Sequence, residues 1–473
     1  MPETMRLDEA AQGAPAGRRS ASGVLGDLFP ASAPAPRRPL SRRVIGVVAQ
    51  VAAVALGAVV LLERIPGLPP WDTIYAEDYW KFFPQALQRP WQLFIPYGGY
   101  EELLPRVIAQ LATYLPLPQV SRWDAVCGAA IAAACGLFVF HASAGHIRSK
   151  PLRALLGAAV VLLPVAPMEI ADSAVDALWY LMLALFWALL WRPRTRAGMA
   201  AAALVAFAAT SSEVTMVLFA PLVAARLFAL RRPREHAVTA GWVAGLLVQL
   251  PVVLLGTSGQ SRLAGRPEVG RALALYAHDV VLTSISWHLA ERLQSLAGST
   301  MAIVIVAAIL AVIIGSILLA QPASRPFVVA AVATGLLFYL FDASLNPRVH
   351  YPAFPDYESG SRYTDLPIFL FECVAVVGVD HVLRRRREAR GRRGTSRRGT
   401  SLRAVAAVSA LVAVLGAAWI ADFRYPGYRS EASWNWGPIA ATWLHDCALS
   451  ASGEITVHTA AQTWTLPCDR IRP

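Results

Sequence analysis

Eleven long apolar stretches recur along this chain, and they constrain its fold more than any other feature. Most approach the ~17–25 residues that an α-helix needs to cross the hydrocarbon core of a bilayer. The stretches lie near 44–62, 124–142, 152–170, 177–191, 197–212, 214–230, 237–257, 300–320, 327–342, 366–383 and 403–421. The sequence therefore predicts an all-α polytopic membrane protein with about eleven transmembrane helices.

The composition agrees with a membrane location. Of the 473 residues, 56% are hydrophobic and 16% are charged, whereas soluble proteins carry roughly 25% charged residues. The net charge of +12 is accounted for by membrane topology and by contact with anionic lipid headgroups. No motif in the sequence indicates binding to nucleic acid.

The arginines predict the orientation of the helices. Basic residues concentrate in cytoplasmic loops, and here a basic cluster or a single arginine falls in every second connection between the apolar stretches. These residues are Arg18, Arg19, Arg37, Arg38, Arg42 and Arg43, then Arg148, Lys150 and Arg153, Arg192, Arg194 and Arg196, Arg231, Arg232 and Arg234, Arg325, and the run from Arg384 to Arg398. We therefore expect a multi-pass plasma-membrane protein whose N-terminus is cytoplasmic and whose C-terminus is extracytoplasmic.

The remaining segments suggest the domain organisation. Residues 1–43 are rich in Ala, Pro, Ser, Gly and Arg, which predicts a disordered cytoplasmic tail. Residues 44–421 would form the transmembrane domain, with a basic cytoplasmic loop at 384–402. The predicted outer segments are loops 63–123, 258–299 and 343–365 and a small tail domain at 422–473.

Two of the five cysteines fall in the predicted outer tail. Cys447 and Cys468 have a spacing that suits a helix followed by a short hairpin, with strands at Ile455–His458 and Thr463–Leu466. Outside the cytoplasm a disulfide is the expected state of such a pair, and zinc lacks further ligands nearby. The tail is therefore predicted to be a small α+β unit closed by this disulfide.

A pair of carboxylates, Glu77 and Asp78, follows the first predicted span within an aromatic run. A carboxylate at this position can accept the proton of a hydroxyl nucleophile, and we take Asp78 as the first choice for this base and Glu77 as the second. The alternative is structural, because acidic residues near the start of a helix interact favourably with its dipole.

The first outer loop also predicts two short amphipathic helices lying along the membrane surface. Residues 78–88 carry Tyr, Trp and Phe side chains that suit the headgroup region, and residues 101–114 follow the turn Pro96-Tyr-Gly-Gly-Tyr100. Arg106 is expected to pair with Glu102, one turn earlier on the second helix.

This order of features resembles the GT-C class of integral membrane glycosyltransferases. Four short segments, in chain order, are similar to segments of bacterial members: Gly98 to Arg106, Glu169 to Tyr180 with its ending Asp176-Ala-Leu-Trp179-Tyr, Gly360-Ser-Arg-Tyr363, and Trp443 to Cys447 with Thr463 to Cys468. The second of these segments departs from the family, because Ser173 and Asp176 stand where asparagines are expected.

The resemblance implies an enzyme that transfers a sugar from a polyprenyl-phosphate donor to a glycan or glycolipid acceptor. The reaction would take place on the outer face of the membrane, in cell wall biogenesis, and would invert the anomeric carbon in a single displacement. The departing lipid phosphate gains charge, so cations or hydrogen-bond donors must stabilise it. Arg348, His350, Arg362 and Tyr363 are the candidates for this role.

Other polar residues are candidates for the acceptor site or its cavity: Glu169, Asp172, Asp176, Trp179 and Glu213. The three acidic residues between 169 and 176 could hold a divalent cation, orient the acceptor or end a span in water. Oxygen ligands would suit magnesium, manganese or calcium, and the sequence does not decide whether a metal is used.

Two other functions are compatible with many spans. A transporter or flippase of lipid-linked sugars should show inverted repeats and broken helices near the middle of the membrane, and the sequence shows no repeat. A non-catalytic protein of envelope assembly would explain the spans but not the Glu77–Asp78 pair.

Overall fold

The chain forms a bundle of α-helices, joined near its C-terminus by a two-stranded antiparallel sheet. The computed structural model describes residues 21–31, 39–166, 170–171, 173–255, 269–320, 324–345, 362–393, 399–425, 429, 432–459 and 462–473. The α-helices are Ala21–Leu28, Leu40–Leu62, Phe83–Gln88, Leu103–Ala112, Val120–Ala142, Lys150–Leu162, Ala177–Leu190, Arg196–Ser212, Ala220–Ala229, Ala237–Leu255, Val269–Leu275, Trp287–Ala297, Ser299–Ala320, Arg325–Leu345, Arg362–Arg393, Gly399–Ala421 and Trp436–Leu449. Two π-helices, Asp78–Phe82 and Tyr276–Val281, and strands Glu454–His458 and Thr463–Pro467 complete the elements used below.

Five helical segments are long and apolar enough to cross a membrane. They are Leu40–Leu62, Leu117–Gly145, Pro233–Leu254, Arg325–Ser344 and Arg362–Arg384. Shorter apolar helices cover four of the other predicted stretches: Ala177–Leu190, Val214–Ala229, Ser299–Gly315 and Val408–Ala421. The structure therefore indicates a helical membrane protein with at least these five candidate spans.

A proline interrupts one predicted span. In the stretch expected at 152–170, the helix Lys150–Leu162 ends before Pro164, and residues 167–169 lie outside the described residues. Leu163 has φ −48° and ψ 126°, because a residue that precedes proline is disfavoured in the helical region, and Pro164 follows.

Arginines and acids tie several helix connections together at one end of the bundle, which we call the arginine-rich end. Asp380 accepts hydrogen bonds from the backbone N–H groups of Arg148 and Ser149 at 3.1 and 2.9 Å. Arg192 forms an ion pair with Glu235 at 2.6 Å. Connections that the sequence assigned to one side of the membrane thus contact one another.

The expectation that residues 1–43 are disordered does not hold for Ala21–Leu28, which forms a helix. Leu28 and Phe29 are buried, and the carbonyl of Phe29 accepts a hydrogen bond from Arg192. The guanidinium of Arg226 lies 5.8 Å from the centre of the Phe29 ring. Two large apolar side chains give this segment enough buried surface to fix it at the arginine-rich end.

Arg64 joins several elements at the opposite end, which we call the loop-rich end. Its side chain is fully buried and donates to the carbonyls of Val161, Leu163 and Phe423 at 2.7, 2.8 and 3.2 Å. A buried guanidinium needs hydrogen-bond acceptors for its N–H groups, so Arg64 ties the end of its own helix, Leu40–Leu62, to the ends of Lys150–Leu162 and Gly399–Ala421.

The C-terminal segment has the predicted α+β form. The helix Trp436–Leu449 is followed by a hairpin whose strands pair antiparallel, with Ile455 opposite Leu466. The disulfide Cys447–Cys468 is present, so both the hairpin and the disulfide are confirmed. We call residues 436–473 the tail unit.

Candidate functional site

The backbone is unusual where the acidic pair begins. Ala76, the residue before Glu77, has φ +44°, a left-handed conformation that costs a non-glycine residue about 1–2 kcal/mol. Asp78–Phe82 then forms a π-helix, an element often found at functional sites. Strain of this kind persists only where the surroundings impose it, so the position of Asp78 is fixed by its neighbours.

Asp78 is buried and hydrogen-bonded to the second predicted outer loop. Its Oδ2 accepts from the hydroxyl of Ser173 at 2.9 Å and from the backbone N–H of Val175 at 3.0 Å. Asp124 is buried as well, and it is close enough for its charge to disfavour the ionised form of Asp78.

These surroundings raise the pKa of Asp78 well above its ordinary value. Burial is the main cause, and the nearby charge of Asp124 acts in the same direction, while the hydrogen bonds from Val175 and Ser173 oppose it. A carboxylate with a raised pKa is a stronger base than an exposed one. In its ionised form, Asp78 can accept a proton from a group bound beside it.

Glu77 is hydrogen-bonded to a different part of the first predicted outer loop and not to the residues that hold Asp78. Its Oε1 accepts a hydrogen bond from the hydroxyl of Tyr97 at 3.2 Å. Tyr97 and Tyr100 pair across a tight turn, in which Gly98 and Gly99 have φ +59° and +99°. Glycine adopts these conformations without steric cost, so the two glycines allow the turn that places Tyr97 beside Glu77.

The predicted pairing of Arg106 with Glu102 is wrong. Arg106 Nε instead lies 3.1 Å from Oε1 of Glu101, and its Nη1 donates to Oε1 of Gln85 at 2.6 Å. Glu102 is the residue just before the helix and has φ −120° and ψ 69°, so its side chain does not take the helical direction that pairing four residues apart requires. Burial raises the pKa of Glu101 to about 7, although the charge of Arg106 opposes this shift.

Glu102 lies beside other carboxyl groups. It is buried, and its Oε2 has no hydrogen-bond partner among the described residues. Burial raises its pKa well above the ordinary value, and the charges of Glu77 and Glu213 raise it further. Glu213, a predicted cavity residue, is itself buried and accepts from the backbone N–H of Thr215 at 2.9 Å.

Two helices hold the backbone around Glu101 and Glu102. Gln249 accepts from the Glu101 N–H and donates to the Glu101 carbonyl, both at 2.8 Å. Ser212 accepts from the N–H of Leu104 at 3.0 Å. The first predicted outer loop is therefore fastened to the helices Arg196–Ser212 and Ala237–Leu255.

The structure brings two predicted residues together. Trp179 and Tyr363 are buried, and their rings meet edge to face with centroids 5.5 Å apart. The guanidinium of Arg362 lies 5.3 Å from the centre of the Tyr363 ring. Arg348 and His350, the other predicted phosphate ligands, lie outside the described residues.

The acidic residues of the second predicted outer loop are only partly described. Asp176 is buried and precedes the helix Ala177–Leu190, whereas Glu169 and Asp172 lie outside the described residues. Within the described ranges, no group of three or more His, Cys, Asp or Glu side chains is arranged to hold a metal ion.

Two of the aromatic residues expected to face lipid headgroups pack inside the protein instead. Phe82 and Phe83 are buried, and Phe83 stacks on Trp443 of the tail unit with an interplanar angle of 8°. Trp436, Trp443 and Trp464 are buried too. The aromatic residues of the loop pack against those of the tail, and the sequence of either segment alone does not indicate this contact.

Sequence analysis missed Asp124, although a signal was present. Asp124 opens an otherwise apolar stretch that reaches residue 142, and an acidic residue in a membrane span is a functional candidate by default. Glu101 and Glu102 were seen only as part of a surface helix.

No protein-family model matches this chain, and a search of curated proteins finds no match.

Proposed function

We propose that this protein is a GT-C-type glycosyltransferase of the plasma membrane. It would transfer a sugar from a polyprenyl-phosphate donor to a cell-envelope glycan or glycolipid. The observation that carries the proposal is the buried Asp78, which accepts hydrogen bonds from Ser173 and Val175. An acid that only stabilises the start of a surface helix does not need to be buried, hydrogen-bonded and next to strained backbone, as Asp78 is next to Ala76.

The proposed reaction is a single displacement. An acceptor hydroxyl oxygen attacks the anomeric carbon of the donor sugar while its proton passes to the carboxylate of Asp78. The bond between the anomeric carbon and the phosphate oxygen breaks, and the polyprenyl phosphate leaves with both bonding electrons. Attack opposite the leaving group inverts the anomeric centre.

The leaving phosphate requires positive charge or hydrogen-bond donors. Arg362 and Tyr363 are proposed for this role, together with Arg348 and His350. The contact of Tyr363 with Trp179 supports a link between this element and the loop that holds Asp78. A guanidinium suits the geometry of phosphate oxygens.

The proposal includes eleven spans with the N-terminus inside. Each of the eleven predicted stretches overlaps a helical segment. The contacts at the arginine-rich end join connections that this topology assigns to the cytoplasm. The contacts of Arg64 with Phe423 and of Arg424 with Glu63 join the residues that follow the first and the last predicted span, which this topology assigns to the outside.

The first testable prediction concerns Asp78→Asn. The asparagine side-chain oxygen can still accept from Ser173 and Val175, so the fold should persist while the base is lost. We expect sugar transfer to fall by about 10²–10⁴-fold, the usual contribution of a positioned general base. The measurement is transfer from a panel of polyprenyl-phosphate pentoses and hexoses to envelope glycans by protein reconstituted in liposomes.

Asp72→Asn is the matched control, because Asp72 is an exposed acid in the same loop. Its transfer rate should equal that of the wild type. A folded Asp78→Asn protein with undiminished turnover would remove Asp78 from the mechanism. Absence of transfer by folded wild-type protein from every donor in the panel would contradict the proposed activity.

A further inference from the structure

The tail unit shares one hydrophobic core with the residues that follow Asp78. We call residues 78–88 the acid segment. Phe83 and Leu87 of this segment lie in the same buried cluster as side chains of the tail helix and hairpin. The tail members of the cluster are Trp436, Ala440, Trp443, Ile455, Val457, Trp464, Leu466 and Ile471.

Directed contacts join the hairpin to the acid segment. Trp464 Nε1 donates to the carbonyl of Trp80 at 2.9 Å. Lys81 Nζ donates to Oε1 of Gln462 at 3.3 Å and lies 5.5 Å from the centre of the Trp464 ring. Arg470 donates to the carbonyl of Leu87 at 2.8 Å. These contacts are spread over both halves of the acid segment.

The tail helix supplies an aromatic contact to the same segment. The Trp443 ring is stacked on Phe83 and on Tyr79, with centroids 6.4 and 6.5 Å apart. Trp436 meets Phe83 edge to face at 5.9 Å. Aromatic pairs in these geometries stabilise a contact beyond the effect of the area that they bury.

The disulfide couples these two sets of contacts. Cys447 lies one turn beyond Trp443 on the tail helix, and Cys468 follows the strand that carries Trp464. The two tryptophans therefore stand on elements that are covalently joined. Neither element can move away from the acid segment without moving the other.

Asp78 is held from another direction by Ser173 and Val175. The acid segment thus lies between the loop that binds the carboxyl group and the tail unit that binds the backbone behind it. Its own first residues form a π-helix after a strained Ala76, a conformation that needs such external support.

We infer that Trp443 and Trp464 are positioning residues for Asp78, and that the Cys447–Cys468 disulfide maintains this arrangement. The inference rests on the proposed function for its catalytic consequence. The support of residues 78–88 by the tail unit is argued from the contacts alone, and it can be measured without any sugar donor.

The test is hydrogen–deuterium exchange of purified full-length protein. Trp443→Ala should raise the exchange of amides in residues 79–88 at least tenfold and leave the buried helix Ala177–Leu190 unchanged. Trp443→Phe, which keeps an aromatic ring against Phe83, should restore most of the protection. Leu449→Ala is the matched control, because Leu449 is 72% exposed on the same helix.

Reduction of the disulfide in folded protein is a second route to the same result. It should raise exchange in residues 79–88, so the test stands even if Trp443→Ala fails to fold. If residues 79–88 keep their protection after reduction and in Trp443→Ala, the tail unit does not hold the acid segment and the inference is overturned.

Activity separates this inference from the proposed function. With an active wild type, Trp443→Ala should lower kcat more than it raises KM for the lipid donor. It should also shift the acidic limb of the pH–rate profile to lower pH, because the pKa of a less buried Asp78 returns toward its ordinary value. A wild type without transfer activity, combined with the expected exchange changes, would contradict the enzyme but not the mechanical coupling.

Discussion

At the scale of single residues, the loop-rich end contains several carboxyl groups that are buried in the protein and not exposed to solvent. Asp78, Glu101 and Glu102 are all buried, and among the described arginines Arg106 contacts Glu101 directly. The sequence placed Asp78 at the centre of the site because it follows a predicted span. The sequence could not indicate which acid would form an ion pair with Arg106, since that depends on where the helix begins.

Glu102 provides a prediction for stability and pH. Its pKa is raised in the folded protein, whereas an unfolded glutamate has a pKa of about 4.3. Between these two values the native state retains a proton that the unfolded state releases, so the free energy of unfolding falls as the pH rises. Glu102→Gln, which preserves the neutral shape, should remove this part of the decline.

The measurement is the thermal unfolding midpoint in detergent from about pH 4 to about pH 8. Glu63→Gln serves as the control, because Glu63 is 58% exposed. Equal pH dependence in wild type and Glu102→Gln would show that Glu102 does not stay protonated in the folded protein.

At the scale of elements, apolar length predicted the helices well. Each predicted span overlaps a helix, and the tail hairpin formed at the expected strands. Both signals are local, because each depends on residues close together in sequence. The burial of the loop aromatics was missed because their partners are distant: Trp80 and Trp464 are separated by 384 positions.

Close helix contacts give a prediction at this scale. A Cβ atom added at Gly241 would lie 2.2 Å from the carbonyl oxygen of Ala203, so the helices Arg196–Ser212 and Ala237–Leu255 approach at a glycine. Small residues allow such approach between helices in membranes. Gly241→Ala should destabilise the protein by about 1–3 kcal/mol, the usual range for overpacking.

Gly315→Ala is the comparison, because nothing lies within 4 Å of a Cβ atom added there. Thermal unfolding in detergent should show a lower midpoint for Gly241→Ala and an equal or higher midpoint for Gly315→Ala, because alanine is the better helix former. Equal midpoints for the two variants would mean that the contact relaxes without cost.

At the scale of the whole molecule, charge separates the two ends. The arginine-rich end gathers connections with basic clusters, while the loop-rich end holds the buried acids and the tail unit. The positive-inside rule relates such an asymmetry to orientation. The positions of the arginines in the sequence predict the orientation of the helices in the membrane. The contacts between neighbouring loops could be seen only in the structure.

Orientation is tested by cysteine labelling in intact cells. Phe94 and Arg194 are both exposed, one in the first predicted outer loop and the other at the arginine-rich end. Phe94→Cys should react with a membrane-impermeant maleimide in intact cells, and Arg194→Cys only after permeabilisation. The unsubstituted protein gives the background, and the reverse pattern would contradict the proposed topology.

The separation of 384 positions between Trp80 and Trp464 also bears on how the protein matures. During translation, residues 78–88 emerge long before their partners in the tail have been made. Non-local contacts of this kind carry a large entropic cost of loop closure. The acid segment of a nascent chain therefore lacks its tail contacts until the helix Trp436–Leu449 and the hairpin after it have been synthesised.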